Sequence, residues 1–306
     1  MTGAPPEGSG GSVHAPHKLH LTGEKETLLI TLYAKALDSR SKHSILGDRK
    51  ADEMVSMIDY DFESLRDFGK GSVMVVRAKQ LDEWVREFLR SNPDAVVLNL
   101  GCGLDTRVTR IGPSPRVSWF DVDYPDVIAE RRKFYSEGEG YQMLESSVTE
   151  PDWLGKVPGG RPAMIVAEGL LEYLTEDVVR ALLNRVTDHF PRGQIVFDVM
   201  NSFAIQSGKK KLRDRTGAEH RWAVDDVRDV DKLDSNLRRL SNESVLGSKY
   251  LPTGYRLTFG TVAVVPGVRN MMRLLRYEFD RLEDSSRGRP SFAFVREPTP
   301  LGWRPE

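Results

Sequence analysis

Short, unbroken apolar runs alternate along this chain with longer stretches in which apolar residues recur at helical spacing. Val96-Val97-Leu98-Asn99-Leu100, Val117 to Phe120, Met143-Leu144, Ala163 to Ala167 and Gln194 to Met200 are the short runs. They are too brief for core helices and lack an in-out alternation, which marks strands of a parallel sheet covered on both faces. Between them, Pro125 towards Arg132 and Glu176 to Phe190 read as helices, the second with Thr175 as a cap. Strand and helix in turn predict an α/β fold.

Three helices precede the first of these strands: Glu26 to Leu37, Lys50 to Ile58, and Val73 to Leu89. Val73, Val76, Leu81, Trp84, Val85, Phe88 and Leu89 form the inner stripe of the third, and Asn92-Pro93 stops it. These helices predict an amino-terminal cap over the strand tips. At the other end, Arg256 to Val265 and Met271 to Phe279 read as a pair of strands suiting an antiparallel edge. Residues 1 to about 18 hold Gly, Pro and Ser and predict a disordered tail. The remaining chain reads as one domain: cap 19–92, core 93–200, and a lid segment with terminal strands over 201–306.

The chemistry gathers where the first strand ends. Gly101 and Gly103 let the backbone turn sharply and leave room for a ligand against it. Asp123 closes the next strand 22 residues after Gly101, placed to accept from both hydroxyls of a ribose. A dinucleotide turn wants a third glycine, but Thr106 stands there beside Asp105 and Arg107. An acid in that loop repels a pyrophosphate and suits a cofactor with a cationic centre and an amino group, such as S-adenosylmethionine. Glu168, at the carboxyl end of a later strand, lies in the crevice where open α/β sheets bind ligands and can accept from that amino group. Ser147 and Val148 follow a third strand, beside the expected adenine position. Lys35 is an unusual charge in an apolar helix, either a rim residue or a ligand.

Composition narrows the rest. Forty-four Lys and Arg against 45 Asp and Glu leave a net charge of −1, so nothing favours nucleic acid or an anionic membrane as partner. One cysteine, Cys102, excludes an internal disulfide and a multi-cysteine zinc site. No stretch approaches the length of a membrane span and no signal peptide is evident, which predicts a soluble, cytoplasmic protein. His14, His17 and His20 recur every third residue, but Pro16 and the absence of a framework make them tail rather than metal site. The basic run Gly208 to Arg215 is either a solvated helix face or a lid that attracts an anionic substrate.

Thr27-Leu28, Thr31 to Ala36, Asp59-Tyr60-Asp61-Phe62, Val96 to Arg107, Asp121 to Pro125 and Glu168 to Leu174 together resemble the leucine carboxyl methyltransferase family, in its tetracenomycin O-methyltransferase-like branch. The resemblance spans roughly residues 20 to 280. It implies a class I methyltransferase fold: a seven-stranded, mostly parallel sheet, an antiparallel last strand, and helices on both faces. It also implies S-adenosylmethionine as donor and S-adenosylhomocysteine as product; a small-molecule acid or phenol is the expected acceptor. By position it assigns Arg77, with Lys35, to the methionine carboxylate, and Gly101, Cys102 and Gly103 to the methionine moiety. Asp123 then faces the ribose, Ser147 and Val148 the adenine, and Glu168 the amino group. Tyr173 falls near the methyl-transfer site. Ser147 departs from the Asp of many relatives, and Lys35 from a commoner Arg.

A carboxylate acceptor is ionised at neutral pH and needs no base, whereas a phenol does. Tyr173, His220 and Asp225 are the candidates for that work. Three other readings remain: a protein carboxyl methyltransferase, a non-catalytic cofactor-binding module, and an NAD-dependent oxidoreductase.

Overall fold

The computed structural model describes residues 17–19, 23–65, 72–252, 254 and 266–281. Its centre is a seven-stranded sheet. Strands β1 (Val96–Leu100), β2 (Ser118–Asp123), β3 (Tyr141–Glu145), β4 (Ala163–Ala167) and β5 (Arg192–Met200) run parallel. β6 (Arg238–Ser244) and β7 (Met272–Asp280) complete it, in the order β3-β2-β1-β4-β5-β7-β6. Among the described strands only β7 opposes its neighbours, pairing antiparallel with both β5 and β6.

Alternate side chains of the strands enter different cores, which is why no period-2 polarity shows in the sequence. Val96 and Leu98 join Ile165, Phe197 and Tyr277 on one face, packed by Val179, Leu182 and Val186 of α6 (Glu176–His189). Val97 joins Trp119, Met164 and Val196 on the other, covered by Val76, Leu81 and Trp84 of α3 (Ser72–Ser91). A third cluster binds the cap. There Leu29, Leu32 and Ala36 of α1 (Thr27–Ser39) meet Ala51 and Met54 of α2 (Arg49–Met57) and Val127 of α5 (Pro125–Arg131). A five-residue helix, α4 (Arg107–Ile111), follows the glycine turn, and α7 (Ser202–Thr216) follows β5.

The predicted elements recur within a residue or two, with three differences. The strand expected over 256–265 lies outside the described residues. The described partner of β7 is instead β6, whose Arg-Arg-Leu-Ser-Asn-Glu-Ser is too polar to read as a strand. It is an edge strand and only half covered, so few apolar positions are needed. Thr175 does sit at the start of α6 in extended backbone, but its side chain makes no capping bond. Finally, His17 pairs with Ile58, its N–H donating to Met57 O at 2.6 Å, so the chain at residue 17 is already part of the cap. His14 and His20 lie outside the described residues. No described helix is long and apolar enough to cross a membrane.

Candidate active site

β1 ends against a turn that only glycine makes easily. Gly101 has φ of +59° and Gly103 of +47°, a region where a side chain is strained. The turn is tied to β2: Cys102 N–H donates to Val122 O (3.2 Å) and Gly103 N–H to Asp123 Oδ2 (2.7 Å). Tyr124 N–H donates to the other carboxylate oxygen at 2.7 Å. Burial pushes the Asp123 carboxyl up, and these two N–H groups pull against it. Each oxygen keeps a lone pair for a further donor.

Leucines lie directly on the two glycines. A Cβ on Gly101 would meet Leu170 Cδ1 at 2.8 Å, and one on Gly103 would meet Leu28 Cδ2 at 2.5 Å.

Beside the turn lies a buried network of charges. Lys35 donates to Asp105 Oδ1 (2.7 Å) and stands 3.6 Å from Glu168 Oε1. Arg77 donates to Asp198 Oδ2 at 2.8 Å and reaches Glu168 Oε1 at 3.3 Å. Arg107 holds Glu168 Oε2, Asp105 (2.8 Å) and Asp82 (2.8 Å), and Arg110 holds Asp82, Asp48 and Asp105. Four cations (Lys35, Arg77, Arg107, Arg110) thus face five carboxylates (Asp48, Asp82, Asp105, Glu168, Asp198). Burial alone would raise the Glu168 carboxyl, but Lys35, Arg77 and Arg107 outweigh it and hold it down to about 2. Burial of Asp105 is likewise outweighed, by Arg107, Lys35 and Arg110.

Two adjoining cavities open on this ground. An inner one of about 220 Å³ is lined by Lys35, Arg77, Gly101, Cys102, Asp105 and Glu168. Its wall continues through Glu172, Tyr173, His220, Met200, Leu212 and Met272. An outer one of about 510 Å³ is lined by Asp123, Tyr124, Thr149, Thr175 and Arg221, among others. Gly101, Leu28, Gly169 and Tyr173 belong to both walls. Seven of the sequence-derived candidates therefore meet here from distant parts of the chain: Lys35, Arg77, Gly101, Cys102, Glu168, Tyr173 and His220. Asp123 joins them from next door.

Four candidates line neither cavity. Gly103 turns its N–H to Asp123 and is covered by Leu28. Val148 is buried in the core beside Trp153, and Ser147 spends its hydroxyl on Thr149, which takes the place at the outer cavity. Asp225 stands apart from both cavities: its carboxylate accepts from the N–H and hydroxyl of Ser202 and lies at the surface. The basic run forms the later turns of α7, with Lys209, Lys210 and Arg213 exposed and Leu212 against the inner cavity.

Three participants escaped the sequence reading. Asp198 ends an apolar strand and holds both Arg77 and the Gly169 N–H (2.7 Å). A lone acid in Val-Phe-Asp-Val was the available signal. Arg107 pairs with three carboxylates, Asp82, Asp105 and Glu168. Glu172 lies buried, with burial and Asp198 pushing its carboxyl up to about 8 against Arg77. Burial also raises the Cys102 thiol and the Tyr173 phenol and lowers His220.

A family profile described as "Leucine carboxyl methyltransferase" matches residues 22–139. The tetracenomycin polyketide synthesis O-methyltransferase TcmP of Streptomyces glaucescens is 41% identical over 266 residues, 85% of this chain and 98% of that protein. The S-adenosyl-L-methionine-dependent methyltransferase dpfgK of Gibberella zeae is 35% identical over 245 residues, 72% of this chain and 82% of its own. Among solved structures, a duf574 family protein from Streptomyces avermitilis superposes with a TM-score of 0.56 at 9% identity, covering 83% of this chain and 97% of that one. At such identity it speaks for the fold alone.

Proposed function

Since the chain belongs to the leucine carboxyl methyltransferase family, we propose that it moves a methyl group from S-adenosylmethionine to an oxygen atom of a small molecule. The observation that carries this is the meeting of Arg77, Glu168 and Asp105 with Asp123 across two cavities joined at Gly101. Those groups fit the parts of such a cofactor: a carboxylate, an amino group, a cationic centre and a ribose. Bound S-adenosylmethionine supplies a methyl group already activated by positive sulfur.

The chain's own residues do the rest. Arg77, with Lys35 behind it, receives the amino acid carboxylate, and Glu168 and Asp105 face the amino group. Asp123 accepts from the ribose hydroxyls with its free lone pairs. Thr149, rather than Ser147 or Val148, stands at the outer cavity where the base would lie. Leu28, Ile30 and Leu104 line the inner cavity and exclude water, so that proximity and alignment supply the catalysis. The small acceptor and a cytoplasmic setting belong to the same reading.

Calorimetry with S-adenosylmethionine, S-adenosylhomocysteine and NAD is the test. Binding of the two adenosyl amino acids is expected, and NAD binding without them overturns the proposal. Labelled methyl donor mixed with a metabolite extract then identifies the acceptor by mass spectrometry.

A further inference from the structure

Among the described residues, Glu172 Oε2 and His220 Nδ1 are buried polar atoms without a partner, and both side chains line the inner cavity. Glu172 is only 4% exposed. Its backbone oxygen accepts from the N–H groups of Arg221 (2.7 Å) and Trp222 (3.2 Å), which brings the His220 segment against it. The His220 ring lies 5.0 Å from that of Tyr173. Met74, Met200, Leu212 and Met272 make the neighbouring wall apolar. Arg77 spends its guanidinium on Asp198 (2.8 Å) and Glu168 (3.3 Å), so Glu172 is a buried acid with no cation of its own among the described residues. Burial and Asp198 push its carboxyl up to about 8, and it keeps its proton at neutral pH. Burial also keeps the His220 ring neutral, with one ring nitrogen carrying a hydrogen. This end of the cavity offers two uncharged donors on an apolar surface.

Resting on the methyltransferase reading above, we propose that Glu172 and His220 position the methyl acceptor, each donating a hydrogen bond to the carboxylate of a molecule with an apolar body. Arg77 and Lys35 are engaged with Asp198, Glu168 and Asp105, and in that reading face the cofactor's own carboxylate. A second carboxylate therefore falls to the Glu172 end. Neutral donors receive it there without adding to the charges already buried. An ionised carboxylate needs no base. One of its oxygens forms the O–CH3 bond while the CH3–S bond breaks and leaves its electrons on sulfur. The Glu172 proton stays in place throughout.

Holding an anion in this way ties binding to that proton. Arg77 approaches Glu172 from α3, Glu168 and Asp198 from the ends of β4 and β5, and His220 from beyond α7. Lys35 of α1, Asp105 and Cys102 of the glycine turn, and Tyr173 share the same cavity wall. Burial holds the Tyr173 phenol and the Cys102 thiol above the range in which Glu172 titrates, and His220 below it. As pH rises through about 8, Glu172 ionises and would set two negative charges together. Carboxylate affinity is therefore full below that value and lost above it.

The test titrates 2-naphthoate, an apolar carboxylate, by calorimetry into protein saturated with S-adenosylhomocysteine at pH 7 and pH 9. In the wild type binding is expected to be roughly tenfold weaker at pH 9, following the protonated fraction of a group near 8. Glu172→Gln donates without titrating, so its affinity is expected to change by less than about twofold. Neutral 2-naphthamide is expected to bind the wild type equally at both pH values, and this comparison serves alone should the variant not fold. Three results each overturn the proposal: no naphthoate binding at pH 7, a wild-type affinity that ignores pH, or an equal loss in wild type and variant. An equal loss for naphthoate and naphthamide in the wild type does so too. Failure of S-adenosylhomocysteine itself to bind removes the methyltransferase reading, and this inference with it.

Discussion

The two ends of the inner cavity solve the burial of charge in opposite ways. Towards β1 and α1, Lys35, Arg77, Arg107, Asp105 and Glu168 satisfy one another at hydrogen-bond distances. Towards β5 and β7, Glu172 and His220 each keep a buried atom without a partner. The first end is held together by the protein itself, and a ligand joins contacts that already exist. The second holds an acid and an imidazole that no other described group pairs at those atoms. Losses at the first end should therefore register in stability, and losses at the second in ligand behaviour.

The sharpest way to break this contrast is Arg77→Met. It strands Asp198 and Glu168 in the interior, and about 3–5 kcal/mol of unfolding free energy should be lost in urea denaturation. A loss under 1 kcal/mol would show that the paired end does not hold the fold.

Acid probes the same end. Glu168 is held down in the folded chain, so its stabilisation is complete above the ordinary carboxyl value near 4.5 and drains away as pH falls towards about 2. Thermal unfolding from pH 6 to pH 2 should fall through that window in the wild type and less in Glu168→Gln. Glu172 has the opposite sign. Its folded value is raised to about 8, so its contribution is complete below about 4.5 and lost as pH rises through 8. Glu172→Gln should accordingly gain stability relative to wild type at pH 8.5 and little at pH 4.

Smaller effects sharpen the picture. Asp123→Ala should weaken adenosyl-cofactor binding by about 1–3 kcal/mol in calorimetry, and unchanged affinity would move the ribose elsewhere. Gly103→Ala, forced to φ of +47° with Leu28 in its way, should cost about 1–2 kcal/mol of stability. Asp225→Ala should change unfolding free energy by only about 0.5 kcal/mol and leave turnover intact, since its carboxylate serves Ser202 at the surface.

What the sequence made legible was local. Val96 to Leu100 announced a buried strand, Gly101 and Gly103 its turn, and Asp123 and Glu168 the acids at strand ends. Arg77 came only from the family resemblance. Pairing was not legible, because partners such as Arg77 and Asp198 lie 121 residues apart and meet only through the order of strands. The loop after β3 was legible only as a loop: Ser147 bonds Thr149, Val148 enters the core and Thr149 reaches the outer cavity. β6 escaped because an edge strand needs little hydrophobicity. Glu172, within Glu-Gly-Leu-Leu-Glu-Tyr-Leu, carried no signal to set it apart from Glu168. Its environment, not its spelling, separates an acid driven below its usual range from one driven above it.

Helix α1 carries both Leu28, resting on Gly103, and Lys35, bonded to Asp105. Roof and counter-charge are thus one rigid piece. Any outward swing that lifts the leucine from the glycine also pulls an ammonium from two interior acids. Such a swing would cost twice, once in uncovered hydrocarbon and once in separated ions.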